Sequence, residues 1–251
     1  PPRSTLFPYT TLFRSVWYYH HSRYNHDQPL IYDSTSGDLI MNSLNYWMPA
    51  LRKYHKDFEW INAHADTLYD VIVPAVIRPP QQRMAIEALN LLYHYILIYG
   101  DWERWVKLWY DALIGAQNLK DAPLQTNLWW GVGSLYVLSG NHKRGRAAFM
   151  TFLERAKERK DLDLVLSGYI GLMRLQTICQ DNNFNDELVK NALTLAQQVN
   201  KRELWAELYN ALAMAYLYRH ETIHALAYGQ TAYAYWSSLQ DTLQKARTAF
   251  T

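Results

Sequence analysis

The chain of 251 residues holds a single cysteine, Cys179, so no disulfide can form within it and nothing in the fold rests on oxidation. That suits a reducing compartment, and a cytoplasmic location is the expectation. No run approaches the roughly 18 uninterrupted apolar residues of a membrane span; even "LLYHYILIY" is interrupted by His94. No phosphate-binding loop of the form G-x-x-x-x-G-K-[ST] occurs. "GVGSLY" (131–136) lacks the third glycine and the preceding strand of a dinucleotide loop. Charged residues are scarce at 19%. What is present is apolar content of 49%, the mark of a folded chain. Its aromatic load is high, with 20 Tyr and 10 Trp concentrated between residues 85 and 236.

The opening "PPRSTLFPYTTLFRS" is neither a signal peptide nor a transit peptide. Its apolar residues fall in two short clusters broken by Pro8 and Thr10-Thr11, and Arg3 and Arg14 are its only basic residues. It resembles a translated sequencing adapter, codon for codon, and residues 1–15 are set aside from fold reasoning as a non-native artefact. Residues 16–37 are expected to be irregular or the remnant of an upstream domain. Residues 38–251 are expected to form one helical repeat domain, truncated at its C-terminal end. Without Arg3 and Arg14, the 25 basic residues become 23 and balance the 23 acidic ones. No overall field then favours nucleic acid or an anionic membrane, and neither is an expected partner.

From Pro80 onward apolar residues recur at i, i+3, i+4 and i+7, the spacing of one helix face. Gly100-Asp101, Gly140-Asn141 and Asp181-Asn182-Asn183 punctuate the pattern as turns. Aligning the turns gives blocks 80–120, 121–160, 161–201 and 202–240, each read as two helices, with a partial block from Asp241. A fixed period of about 40 residues marks a solenoid.

Block 121–160 places Trp129, Val132, Gly133 and Tyr136 at the spacing W-x2-L-G-x2-Y, followed by Gly145 and Phe149 at A-x3-F. Block 202–240 offers Tyr209, Leu212, Ala213 and Tyr216, then Ala225 and Ala232. Block 80–120 offers Leu89, Leu92, Gly100, Trp105, Trp109 and Ala112. Block 161–201 is degenerate, keeping Gly171 and Ala192. Over residues 80–251 the chain resembles a tetratricopeptide-like (TPR-like) repeat protein. The resemblance implies an all-α, right-handed α-solenoid of antiparallel helix pairs, with small residues where helices cross and large aromatics beside them. The period exceeds the usual 34 residues, which leaves HEAT-type repeats as the alternative. "DFEWINAHADTLYDVIVPAVI" followed by "YHYILIYGDWERWVKLWYDAL" resembles the repeat arm of signal-transduction NTPases and bacterial transcriptional regulators.

Several stretches carry residues suited to chemistry. "HETIH" (220–224) matches H-E-x-x-H, in which two His bind zinc and the Glu acts as general base, all on one helix. The repeat register instead puts His220 in a turn and His224 in the first turn of the next helix. The plainer reading is Glu221 at a helix N-terminus. His20, His21, His26 and Asp27 could ligate a metal or form a solvated loop. Cys179 reads as an inert thiol near a helix end. "NHKRGRAAFMTFLERAKERK" (141–160) has seven Lys or Arg, but Glu154 and Glu158 are interleaved, as on a paired surface. Trp102, Trp105, Trp109 and Tyr110 have helical spacing and read as core rather than as a stacking platform.

The resemblance itself implies a binding site. Stacked helix pairs curve, and their first helices line the concave face. In this register the groove residues are Asn90, His94, Asn127, Trp130, Ser134, Asn210, Met214 and Tyr218. Asn90 and Asn210 occupy equivalent places, and an amide that both donates and accepts suits a peptide backbone. The expectation is a non-catalytic scaffold binding a protein or peptide, with no cofactor or metal. The alternatives are a zinc-dependent hydrolase using His220, Glu221 and His224, and a small-ligand or oligosaccharide receptor.

Overall fold

The computed structural model describes residues 36–179, 186–239 and 248, with side chains from Leu44 onward. The readings made for residues 1–15 and for His20, His21, His26 and Asp27 lie outside these residues. Ten helices occupy the described residues, with no strand among them. They are α1 (Ser36–Tyr54), α2 (Phe58–Val76), α3 (Gln82–Tyr99), α4 (Trp102–Asn118) and α5 (Ala122–Leu138). There follow α6 (His142–Glu158), α7 (Leu162–Ile178), α8 (Asp186–Ala196), α9 (Arg202–Tyr218) and α10 (Thr222–Ser238). Neighbours in sequence pack as antiparallel pairs, and successive pairs stack.

A regular step runs through this stack. Helices α4, α5, α6, α7, α9 and α10 are each 17 residues long, and begin at residues 102, 122, 142, 162, 202 and 222. The 40-residue period is thus two units of one helix and one short turn.

Turn chemistry sets the step. Lys120, Gly140, Lys160 and His220 all have left-handed backbone, with φ of 53°, 80°, 54° and 60°. The N–H of the following residue reaches back to a carbonyl of the finished helix: Asp121 to Ala116, Asn141 to Tyr136, Asp161 to Ala156 and Glu221 to Tyr216. This closes the helix end in a Schellman-type motif. Three of these residues then cap the next helix. Side-chain oxygens of Asp121, Asn141 and Asp161 accept from the backbone N–H of Leu124, Arg144 and Leu164. One residue therefore ends a helix and starts the next.

Close crossings hold the pairs together. A Cβ on Gly131 would run into the Trp109 indole, one on Gly133 would stand 2.8 Å from the Phe149 ring, and one on Gly171 would stand 2.8 Å from Trp130. Trp109 is fully buried against Gly131, and Phe152 is fully buried beside Gly168. The step breaks once. Helix α8 has 11 residues and begins at Asp186, yet α9 starts 40 residues after α7. Helix α9 packs mainly on α7 and α10 and only marginally on α8.

Candidate binding groove

The first helices of successive pairs, α3, α5, α7 and α9, share one register, so residues 40 apart occupy equivalent places. Asn90, Trp130, Ile170 and Asn210 form one row; His94, Ser134, Arg174 and Met214 form the next; Asn127, Ser167 and Glu207 form a third.

Where α3, α5 and α7 converge they line an open pocket of about 230 Å³. Its rim is polar: Asn90 and Asn127 are exposed, and Ser167 is half-buried. Its walls are Tyr93, Trp130 and Leu164, with Trp109, Gly131 and Phe152 behind them. Trp130 leans on Phe149 and Phe152, with ring centroids 5.2 and 5.4 Å away. Tyr93 donates to Ser134 Oγ at 3.0 Å, and Ser134 donates to the Trp130 carbonyl at 3.0 Å. Burial pushes the Tyr93 phenol up to about 12, against a smaller opposing effect of its bond to Ser134. Tyr93 therefore stays protonated and keeps donating. Ser167 Oγ donates to the Asp163 carbonyl at 2.9 Å. Farther along, Arg174 faces Glu207 at 3.4 Å, the two charges answering one another.

The pocket gathers Asn90, Asn127 and Trp130, and Ser134 joins its wall through Tyr93. His94 is exposed beside it, its ring 5.6 Å from that of Tyr93. Asn210, Met214 and Tyr218 are half-buried on α9 and do not line it. Helices α5 and α7 stand between Asn90 and Asn210 in the stack. Asn210 Oδ1 is buried without a hydrogen-bond partner among the described residues. Tyr93, Ser167, Arg174 and Glu207 were missed in the sequence. A signal existed: a step of 40 from Asn127 and Ser134 reaches Ser167, Glu207 and Arg174. Judging block 161–201 degenerate hid it, because its first helix keeps the register and only its second departs.

The other stretches fall in place around this face. His220 occupies the turn and His224 the first turn of α10. Glu221 binds Arg219 at 2.7 Å and His224 Nδ1 at 3.1 Å, and Arg219 also reaches Asp186 at 3.0 Å. Among the described residues no three His, Cys, Asp or Glu side chains stand together to hold a metal. Trp105 and Trp109 are core, Trp102 donates its indole N–H to the Ile96 carbonyl at 3.1 Å, and Tyr110 is exposed. Of the basic run, Arg155 donates to Gln125 Oε1 at 3.1 Å. Among the described residues no helix is long and apolar enough to cross a membrane.

No protein-family model matches the chain, and no curated protein matches it. Among solved structures it is similar to a Podosopora anserina protein ascribed to the kinesin light chains and built of nearly identical TPR-like repeats. The TM-score is 0.59 at 12% identity, over 79% of this chain and 97% of that one. At that identity the likeness concerns the fold.

Proposed function

We propose that this TPR-like solenoid is a non-catalytic scaffold whose concave, first-helix face holds an extended segment of a partner protein. A TPR-like repeat fold is an interaction scaffold, and the observation that carries the finer reading is the 230 Å³ pocket at the convergence of three first helices. Asn90 and Asn127 edge it, exposed and without a hydrogen bond to another described side chain. A carboxamide both donates and accepts, so two of them can pair with peptide groups whatever the side chains between them. Aromatic walls beside the amides supply apolar area at little cost in side-chain entropy. As the arm of a larger regulator, such a face would sense a partner rather than transform it.

Panning random twelve-residue peptides against the full chain tests the reading. Selected peptides should lose about tenfold or more in affinity when Asn90 and Asn127 are both changed to Ala, a loss of one to two hydrogen bonds. Equal affinity for the double variant and the wild type would remove this face as the binding site.

A further inference from the structure

Helix α10 (Thr222–Ser238) contains no Asp, Glu, Lys or Arg. Its counterparts in the earlier pairs carry four such residues on α4, seven on α6 and three in the 11 residues of α8. The uncharged helix is also apolar on its outer side. Ile223 is 84% exposed, Leu226 60% and Tyr233 43%, and Ala227, Gln230 and Ala234 are exposed among them. At spacings of three, four and seven these residues share one stripe. It lies away from Ala225, Ala232 and Trp236, which are buried.

Another helix pair stacked on α9–α10 would leave much of this stripe in water. Helices α4 and α6 each have the next pair in place, and there the residues equivalent to Ile223, Glu103 and Lys143, stay exposed. So do Lys107 and Ala147, equivalent to Ala227, and Ile114 and Glu154, equivalent to Ala234. Those outer places mostly carry charge, and on α10 none does. A contiguous apolar surface of this kind marks contact with another chain.

Charge and register say which chain. Two copies of the α6 surface would bring like charges together, whereas the α10 stripe can meet itself without that cost. Gln230 stands at the midpoint of the helix, eight residues from either end. About a twofold axis at that point, an antiparallel pair of α10 helices sets Gln230 against Gln230 of the second copy. A carboxamide both donates and accepts, so each satisfies the other. The same operation sets Leu226 beside Tyr233 of the second copy on one flank, and Ala227 beside its Ala234 on the other. The alanine flank lets the helices approach closely, and a polar residue at the centre of an apolar seam fixes its register.

We propose that α10 is a self-association face, through which two copies of the chain pair antiparallel with Gln230 on the twofold axis. A helix of 17 residues offers about 25 Å of length and about 10 Å of width. That is less than a standard interface, so the pairing is reversible, with a Kd on the order of tens of micromolar. The first-helix faces of both copies stay open, and the pair presents two of them together. The inference is independent of what those faces bind.

Sedimentation equilibrium of the full chain, from about tenfold below to about tenfold above that Kd, tests it. The wild type should pass from monomer to dimer across the series. Gln230→Glu and Gln230→Lys should each raise the Kd about tenfold or more, because like charges then meet on the axis. Both alter an exposed side chain, and melting temperatures equal to the wild type show that the fold is kept. An equimolar mixture of the two variants should return to within about threefold of the wild-type Kd, since only a residue on the axis meets its own copy. A chain that stays monomeric throughout would overturn the proposal. So would association that survives Leu226→Glu unchanged, or a mixture that associates no better than the separate variants.

Discussion

Helix pairs α5–α6 and α9–α10 stand 80 residues apart and share one backbone plan, yet they are knitted differently. In α5–α6 a Gly at 133 receives the Phe149 ring. The equivalent positions in α9–α10 are Ala213 and Gly229, whose nearest approach is 3.8 Å for a Cβ built on Gly229. Bulk lost there returns nearby: Phe152 becomes Ala232, while Ala156 becomes the buried Trp236 and Ala148 becomes Tyr228. Gln125 and Arg155 are joined by a hydrogen bond. Their counterparts Trp205 and Tyr235 stack instead, with rings 12° from parallel. Tyr209, Tyr216 and Tyr228 extend that stack with centroids 5.4 to 5.8 Å apart. The repeat therefore fixes the backbone step and the filled volume of the pair. Which helix supplies the bulk is left open.

The glycines give the widest separation between the two pairs. Gly133→Ala should destabilise by about 1–3 kcal/mol, because its methyl meets an aromatic ring already held by Trp130. Gly229→Ala meets ordinary contact distance and loses a flexible residue from a helix interior, so it should stabilise by roughly 0.5–1 kcal/mol. Urea titrations of both variants check the opposite signs. Equal destabilisation would mean that the two interfaces are packed alike.

Helix starts divide the pairs next. Asn141 caps α6 through the Arg144 N–H, whereas its counterpart Glu221 makes no side-chain cap on α10 and serves Arg219 and His224. Asn141→Ala should cost about 1 kcal/mol, and Glu221→Ala only the fraction of that expected for a surface ion pair. Asp121 adds a pH signature. Its carboxyl is held below the usual value first by the Leu124 N–H and then by Arg83. A depressed carboxylate contributes stability that is present above the unfolded value near about 4 and is lost as pH falls through the folded one. Asp121→Asn keeps a cap but has no proton to bind, so its stability should fall less steeply below about pH 4. Chemical denaturation at several acidic pH values reads the difference in slope.

Much of this was legible in the residues. Gly140-Asn141 announces a turn, Trp129 to Phe149 announce a crossing of helices, and the 40-residue spacing of the blocks gives the stack. The regular caps were legible too, since Asp or Asn stands at 101, 121, 141 and 161. What the residues did not reveal is depth. The groove register found Asn90, Asn127 and Trp130, but their convergence on one pocket depends on α7, whose Ser167 and Leu164 look unremarkable in sequence. Asn90 and Asn210 are equivalent in register and separated in space, because a solenoid turns equal sequence offsets into distance along the stack. Trp109 reads as core, and it is core; its indole edge fills the space that the absent side chain of Gly131 leaves free.

The smallest effect lies in the turns, at the residue with left-handed backbone. Gly140 closes α5 at φ 80°, while His220 closes α9 at 60° and Lys160 closes α6 at 54°. A side chain in that conformation crowds its own carbonyl, and glycine escapes the penalty while giving up more freedom in the unfolded chain. The two terms oppose, so His220→Gly and Lys160→Gly should each stabilise by only a few tenths to about 1 kcal/mol. Gly140→Ala carries the opposite sign, because it meets no neighbour and suffers the backbone cost alone. Melting curves for the three variants, run beside wild type, should place His220→Gly and Lys160→Gly above it and Gly140→Ala below. A fall in all three would show that the left-handed turns are relaxed in place by their flanking helices, and that the 20-residue step owes nothing to glycine.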